Sequence, residues 1–135
     1  MAREKAVIDA CVLVKMFAEE ADTNKALLLV KRHIDGNTLL IVPDIAFAEV
    51  LNALKYKGAS IEQLRETNKA LWLFQLSVEK INPSILEKAV SFSCKHDLTI
   101  YDAIYAALSE LYDTVLITAD EALAKVPRAV LLRNF

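Results

Sequence analysis

Apolar residues along this chain follow two alternating patterns. Short apolar runs recur: one begins near Lys5 and ends at Val7–Asp9, followed by Leu39–Val42, Leu76–Ile81, Val115–Thr118 and Ala129–Leu132. They predict short buried strands. Between them, apolar residues fall at helical spacing. From about Asp22 to Asp35 the apolar set is Ala26, Leu27, Val30 and Ile34, and Gly36–Asn37 breaks the pattern. Pro43 ends the second strand. Asp44 is placed to cap a helix running to about Lys57, with Phe47, Val50, Leu51 and Leu54 as its stripe and Gly58 as its stop. Ser60 and Gln63 form a capping-box start for a helix to about Phe74. Asn82–Pro83 opens a helix ending near His96, with proline at its favoured first position. Thr99 caps another from Ile100 to about Tyr112, and a short helix is predicted over Ala119–Lys125.

Strands alternating with helices indicate a parallel sheet covered by helices. The expected architecture is a three-layer α/β/α sandwich with a central, mainly parallel sheet, built as a single domain over residues 1–135. The chain is 55% hydrophobic, counted without glycine, above the ~45–50% typical of globular proteins. This excludes disorder as the dominant state. It also suggests that a partner or a second copy covers some apolar surface. No run approaches the ~20 apolar residues of a membrane span, and MAREKAVIDA lacks the apolar core of a secretory signal. The expected location is the cytoplasm, with no membrane partner.

Charge and composition narrow the chemistry. Net charge is −2, so no strong global field draws the protein to nucleic acid. Cys11 and Cys94 are far apart, with neither zinc-site nor disulfide spacing. Neither His33 nor His96 has a second histidine at metal-binding spacing. Only two glycines occur, which rules out a glycine-rich phosphate loop.

What remains is acidic. Asp9 interrupts the apolar run VIDACVLVK, and burying a carboxylate without a partner is costly. In open α/β sheets, ligands bind outside the carboxyl ends of the strands. Asp9 ends the first strand there, and Asp120 in TVLITADEAL repeats the arrangement. If these strands are neighbours, ~5 Å apart, the two acids can share a cation. Glu49 in FAEVLNAL lies off the apolar stripe of its helix and shares a face with Asn52. Asp102 in TIYDAIYAALSE lies in a first helical turn. Each acid also has a purely structural reading. Asp9 can cap the following helix, Asp102 can complete a capping box with Thr99, Asp120 can sit in a first turn, and Glu49 can be solvated. If the four converge they repel one another unless cations neutralise them, and an all-oxygen set suits Mg²⁺ or Mn²⁺. Spacing alone does not bring them together.

The segments VIDACVLVK, AEVLNAL, YDAIYAALSE and LITADEALAK, in that order over nearly the whole chain, resemble the PIN-domain family, and within it the small VapC-like toxins of prokaryotic toxin–antitoxin pairs. The resemblance implies a Mg²⁺- or Mn²⁺-dependent endoribonuclease acting on RNA, with Asp9, Glu49, Asp102 and Asp120 as catalytic and metal-holding acids. Asn52, Lys15 and Thr118 match supporting positions. It also implies a homodimer and a small antitoxin that blocks the cleft. Where the family often has serine two residues after the first aspartate, this chain has Cys11, and a thiol is a weaker hydrogen-bond partner than a hydroxyl.

Other readings are weaker. A phosphatase with a strand-end aspartate nucleophile needs a second aspartate where Cys11 stands. A cysteine nucleophile needs an activating histidine, and none is placed beside Cys11. A non-catalytic PIN-fold scaffold with a degenerate acidic site is the alternative, against which four intact acids argue. Leu71, Trp72, Leu73 and Phe74 read equally as core or as a partner surface. Tyr101 and Tyr105 read as packing rather than base stacking. Lys31–Arg32 and Arg128–Arg133 read as solvated surface.

Overall fold

The computed structural model describes residues 3–135. Its elements are β1 (Glu4–Ile8), α1 (Ala10–Val14), α2 (Thr23–Ile34), β2 (Thr38–Pro43), α3 (Ala46–Tyr56), α4 (Ile61–Leu73), β3 (Ser77–Glu79), α5 (Pro83–His96), α6 (Ile100–Leu111), β4 (Val115–Thr118) and β5 (Ala129–Leu131). Single 3₁₀ turns lie at Leu123–Lys125, between β4 and β5, and at Leu132–Asn134, after β5. The five strands form one sheet in the order β3-β2-β1-β4-β5, and every pair is parallel.

Burial shows why the sheet lies in the middle. Successive strand side chains point to opposite faces, yet Ala6, Val7 and Ile8 of β1 are all buried. So are Leu40, Ile41 and Val42 of β2 and Leu116, Ile117 and Thr118 of β4. Both faces of the central strands are therefore covered, as the continuous apolar runs required. The buried face of α6, Ala103 to Ser109, packs on β1, β2 and β4. Helix α5 lies against α6, α1 against α3, and α3 against α4. No helix among the described residues is long and apolar enough to cross a membrane.

Most predicted caps form. Ser60 and Gln63 make the full capping box of α4. Asn82 accepts from the Ile85 N–H at the start of α5, with Pro83 following, and Thr99 accepts from the Asp102 N–H at α6. Gly58 ends α3 with φ +96°, a conformation that costs glycine little.

Four expectations are corrected. Helix α2 buries Ala26, Leu29, Val30 and His33, while Leu27 and Ile34 are exposed. His33 explains the shift: its Nδ1 accepts from the Leu40 N–H at 3.1 Å, so its Nε2 donates to the Gln75 carbonyl at 3.0 Å. With both ring nitrogens satisfied, the imidazole takes a core position. Asp44 does not cap α3, whose N-cap is Ile45 with no side-chain cap bond; Asp44 instead sits in the turn, its N–H bonded to the Glu79 carbonyl. The predicted strand over Leu76–Ile81 shortens to Ser77–Glu79 at the sheet edge. The predicted helix over Ala119–Lys125 is only the 3₁₀ turn at Leu123–Lys125, because the chain first turns around Asp120.

Candidate active site

The register places Asp9 directly. β1 pairs with β4 through Ile8 and Ile117, and the Asp9 N–H donates to the Ile117 carbonyl at 3.0 Å. Asp9 therefore sits at the sheet's carboxyl edge, beside Thr118. It occupies the N-cap position of α1 but makes no side-chain cap bond. Its Oδ2 accepts instead from the Thr118 hydroxyl and the Cys11 thiol, each at 2.9 Å. Cys11 in turn accepts from the Ala119 N–H at 3.3 Å. The thiol thus takes part in the hydrogen bonding that holds the first acid.

Three further carboxylates reach the same place from other elements. Glu49 comes from the first turn of α3 and Asp102 from the first turn of α6. Asp120 follows β4, its N–H on the Thr118 hydroxyl at 3.0 Å and its Oδ1 on the Ala122 N–H at 2.9 Å. All four line one open cleft of about 460 Å³, together with Lys15, Glu20, Ala53 and Lys57. Glu49 is not an ordinary solvated residue: the Tyr105 hydroxyl donates to its Oε1 at 2.7 Å. Tyr105 is fully buried on α6, so the bond ties α3 to α6 across the site.

The electrostatics are those of crowded, partly desolvated acids. Burial pushes the Asp9 carboxyl above its ordinary range, and the Asp120 charge adds to this, against the lowering effect of the Cys11, Thr118 and Ala10 hydrogen bonds. Glu49 is raised by burial and by Asp9 and Asp102, while Tyr105 pulls the other way. Asp102 is raised by burial, then by Asp9 and Asp120. Burial and the neighbouring Asp9 charge also drive the Cys11 thiol far upward, which leaves it unsuited to act as a nucleophile. None of the four acids has a basic side chain in ion-pair contact among the described residues.

This donor set fits a hard divalent cation. Its ligands would be oxygens alone, and the mutual repulsion is of the kind a cation relieves. Among the described residues, no three His, Cys, Asp or Glu side chains form a group close enough to hold an ion directly.

The supporting positions divide. Thr118 is fully buried and bonded to Asp9. Lys15 lines the cleft, with its ammonium on the Ala21 carbonyl at 2.9 Å. Asn52 is exposed and stands outside the cleft lining. Sequence reasoning missed the bond from Tyr105 to Glu49. The signal was the hydroxyl itself: a tyrosine on an otherwise apolar helix face needs a hydrogen-bond partner. It also missed Glu20 and Lys57, although Lys57 follows Glu49 by eight residues on the same helix face.

The remaining candidates lie away from the cleft lining. Leu71 is fully buried and Phe74 stacks on Phe17, whereas Trp72 and Leu73 are exposed and Trp72 packs edge-on against Phe47. Lys31 pairs with Asp35, Arg128 with Asp113 and Arg133 with Glu121, so neither basic cluster is a set of unpaired cations.

Residues 6–129 match the PIN domain family model, and the chain belongs to this family. It is similar to Ribonuclease VapC3 of Pyrobaculum aerophilum, 32% identical over 127 residues, covering 90% of this chain and 93% of that one. It is also similar to Ribonuclease VapC1 of Mycobacterium tuberculosis, 29% identical over 128 residues, covering 92% of each. Among solved structures, a toxin–antitoxin complex from Klebsiella pneumoniae superposes with a TM-score of 0.72 at 23% identity, covering 94% of this chain and 97% of that one. VapC20 of Mycobacterium tuberculosis, described as a sarcin–ricin-loop-cleaving toxin, superposes with a TM-score of 0.70 at 13% identity, covering 87% and 92%. These structural likenesses establish the shared fold.

Proposed function

We propose that this protein is a Mg²⁺- or Mn²⁺-dependent endoribonuclease that hydrolyses RNA phosphodiester bonds, and that it is the toxin of a toxin–antitoxin pair. The observation that carries the reading is the convergence of Asp9, Glu49, Asp102 and Asp120 from four separate elements on one cleft, without a basic partner. The ribonuclease names of the relatives support the reaction class.

Asp9, Glu49, Asp102 and Asp120 would hold the ion, directly or through water. Such an ion supplies Lewis-acid activation of water and neutralises the charge that develops on the phosphate. The chain's own part is positioning. Thr118 and Cys11 fix Asp9 through one oxygen, Oδ2. Tyr105 fixes Glu49 through Oε1 from a buried ring. Residues held this way lose little freedom when substrate arrives, which is how preorganised sites lower barriers. A homodimer, a small antitoxin that covers the cleft, and a cytoplasmic location complete the proposal. Cleavage of structured RNA that requires Mg²⁺ or Mn²⁺ and stops on chelation tests it; a metal-binding protein that cuts no RNA would favour a scaffold role on the same fold.

A further inference from the structure

The cleft holds five carboxylates, from Asp9, Glu20, Glu49, Asp102 and Asp120, and two ammonium groups, from Lys15 and Lys57. That balance repels a polyanion, and one divalent ion offsets only part of it. Lys15 lines the cleft and is bonded to a neutral carbonyl, which leaves its charge uncompensated by that bond. Lys57 is different. Its Nζ meets Glu20 Oε2 at 2.9 Å, which joins the end of α3 to the loop between α1 and α2 within the cleft lining. Lys57 also continues the cleft-facing line of α3: Glu49, Ala53 and Lys57 follow at four-residue steps and all three line the cavity. Lys57 is thus a cation of the cleft lining, two helical turns from an acid of the site and partly open to solvent.

We propose that Lys57 binds the phosphodiester backbone of the substrate beside the scissile bond, and that Glu20 is its resident competitor, displaced when substrate enters. This rests on the ribonuclease reading of the site. Both partners of the pair are partly exposed, with side-chain accessibilities of 47% for Lys57 and 30% for Glu20. Exposed pairs hold weakly, and a phosphate oxygen is an equally good charged acceptor for an ammonium. The exchange leaves Lys57 paired throughout and returns Glu20 to water.

The two roles predict opposite signs. Lys57→Ala raises KM by about tenfold, the loss of one charge-assisted contact, with a smaller change in kcat. It also lowers the salt slope of RNA binding by about 0.7, one contact on a single strand. Glu20→Gln removes the competitor and lowers KM about threefold. Lys57→Arg restores most of the binding. The measurements are steady-state cleavage of whichever member of a structured-RNA panel the wild type cuts with Mg²⁺, and anisotropy of the same labelled RNA. If Glu20→Gln and Lys57→Ala both raise KM, the pair is a structural strap and the proposal is overturned. It is overturned as well if neither moves KM. Should the wild type neither cut nor bind any RNA, the ribonuclease reading fails first, an outcome distinct from a wild type that cuts while both variants behave alike.

Discussion

The Tyr105 hydroxyl donates to Glu49 Oε1 at 2.7 Å from a fully buried ring. One bond thereby joins the helix that carries Glu49 to the helix that carries Asp102. Tyr105→Phe keeps the ring and its packing and removes only the donor. Partners that orient metal-holding side chains are worth about 10–100-fold in activity or metal affinity, so cleavage falls by about that factor while the circular dichroism spectrum is unchanged. Wild-type cleavage in Tyr105→Phe would show that the link merely ties helices together.

The acids carry a pH signature. Asp9 is 6% exposed, and burial holds its carboxyl above the ordinary range. A raised folded-state pKa favours the fold while the group is protonated, and the advantage is lost as pH rises through the folded value. In metal-free protein, Asp9→Asn therefore matches wild type at about pH 4 and is the more stable of the two near pH 7. Melting curves of both proteins in chelator, at the two pH values, check the sign. A variant that loses stability relative to wild type as pH rises contradicts it.

Metal should reverse that order. A saturating divalent ion at about 100 times its Kd stabilises the fold by about 2.7 kcal/mol. Wild-type protein melts higher with Mn²⁺ near pH 7, and Asp9→Asn and Glu49→Gln show little or no rise. Calorimetric titration of Mn²⁺ into the same three proteins gives the matching heats.

The two cysteines differ in reactivity. Cys11 is bonded to Asp9 and its thiol is pushed up by burial and the Asp9 charge, whereas Cys94 is exposed on α5. Iodoacetamide at neutral pH labels Cys94 and spares Cys11, as read by mass spectrometry of the digested protein. Cys11→Ser preserves the bond to Asp9 with a stronger donor and keeps activity, while Cys11→Ala loses it.

How much of this was legible in the sequence depended on what each signal measures. The existence of the strands and their parallel sheet followed from buried apolar runs, and the caps at Ser60, Asn82 and Thr99 from side-chain chemistry that acts within four residues. The phase of α2 was misread because counting apolar residues cannot register His33, a polar side chain buried by partners in β2 and after α4. The helix expected after Asp120 was misread because Asp120 bonds the Ala122 N–H and turns the chain locally. The acids were visible one by one. Their meeting depends on β1 and β4 being neighbours and on α3 and α6 both opening at the sheet's carboxyl edge, which are long-range facts. Tyr105 and Glu49, 56 positions apart, carry no local trace of their bond.

The central claim is tested most directly by RNA cleavage across a structured panel, with Mg²⁺ or Mn²⁺ and again with chelator, by wild type, Asp9→Asn and Asp102→Asn purified identically. Wild-type cleavage requires metal, and it falls at least about 100-fold in both variants. Cleavage that survives in either variant, or that ignores the chelator, would contradict it.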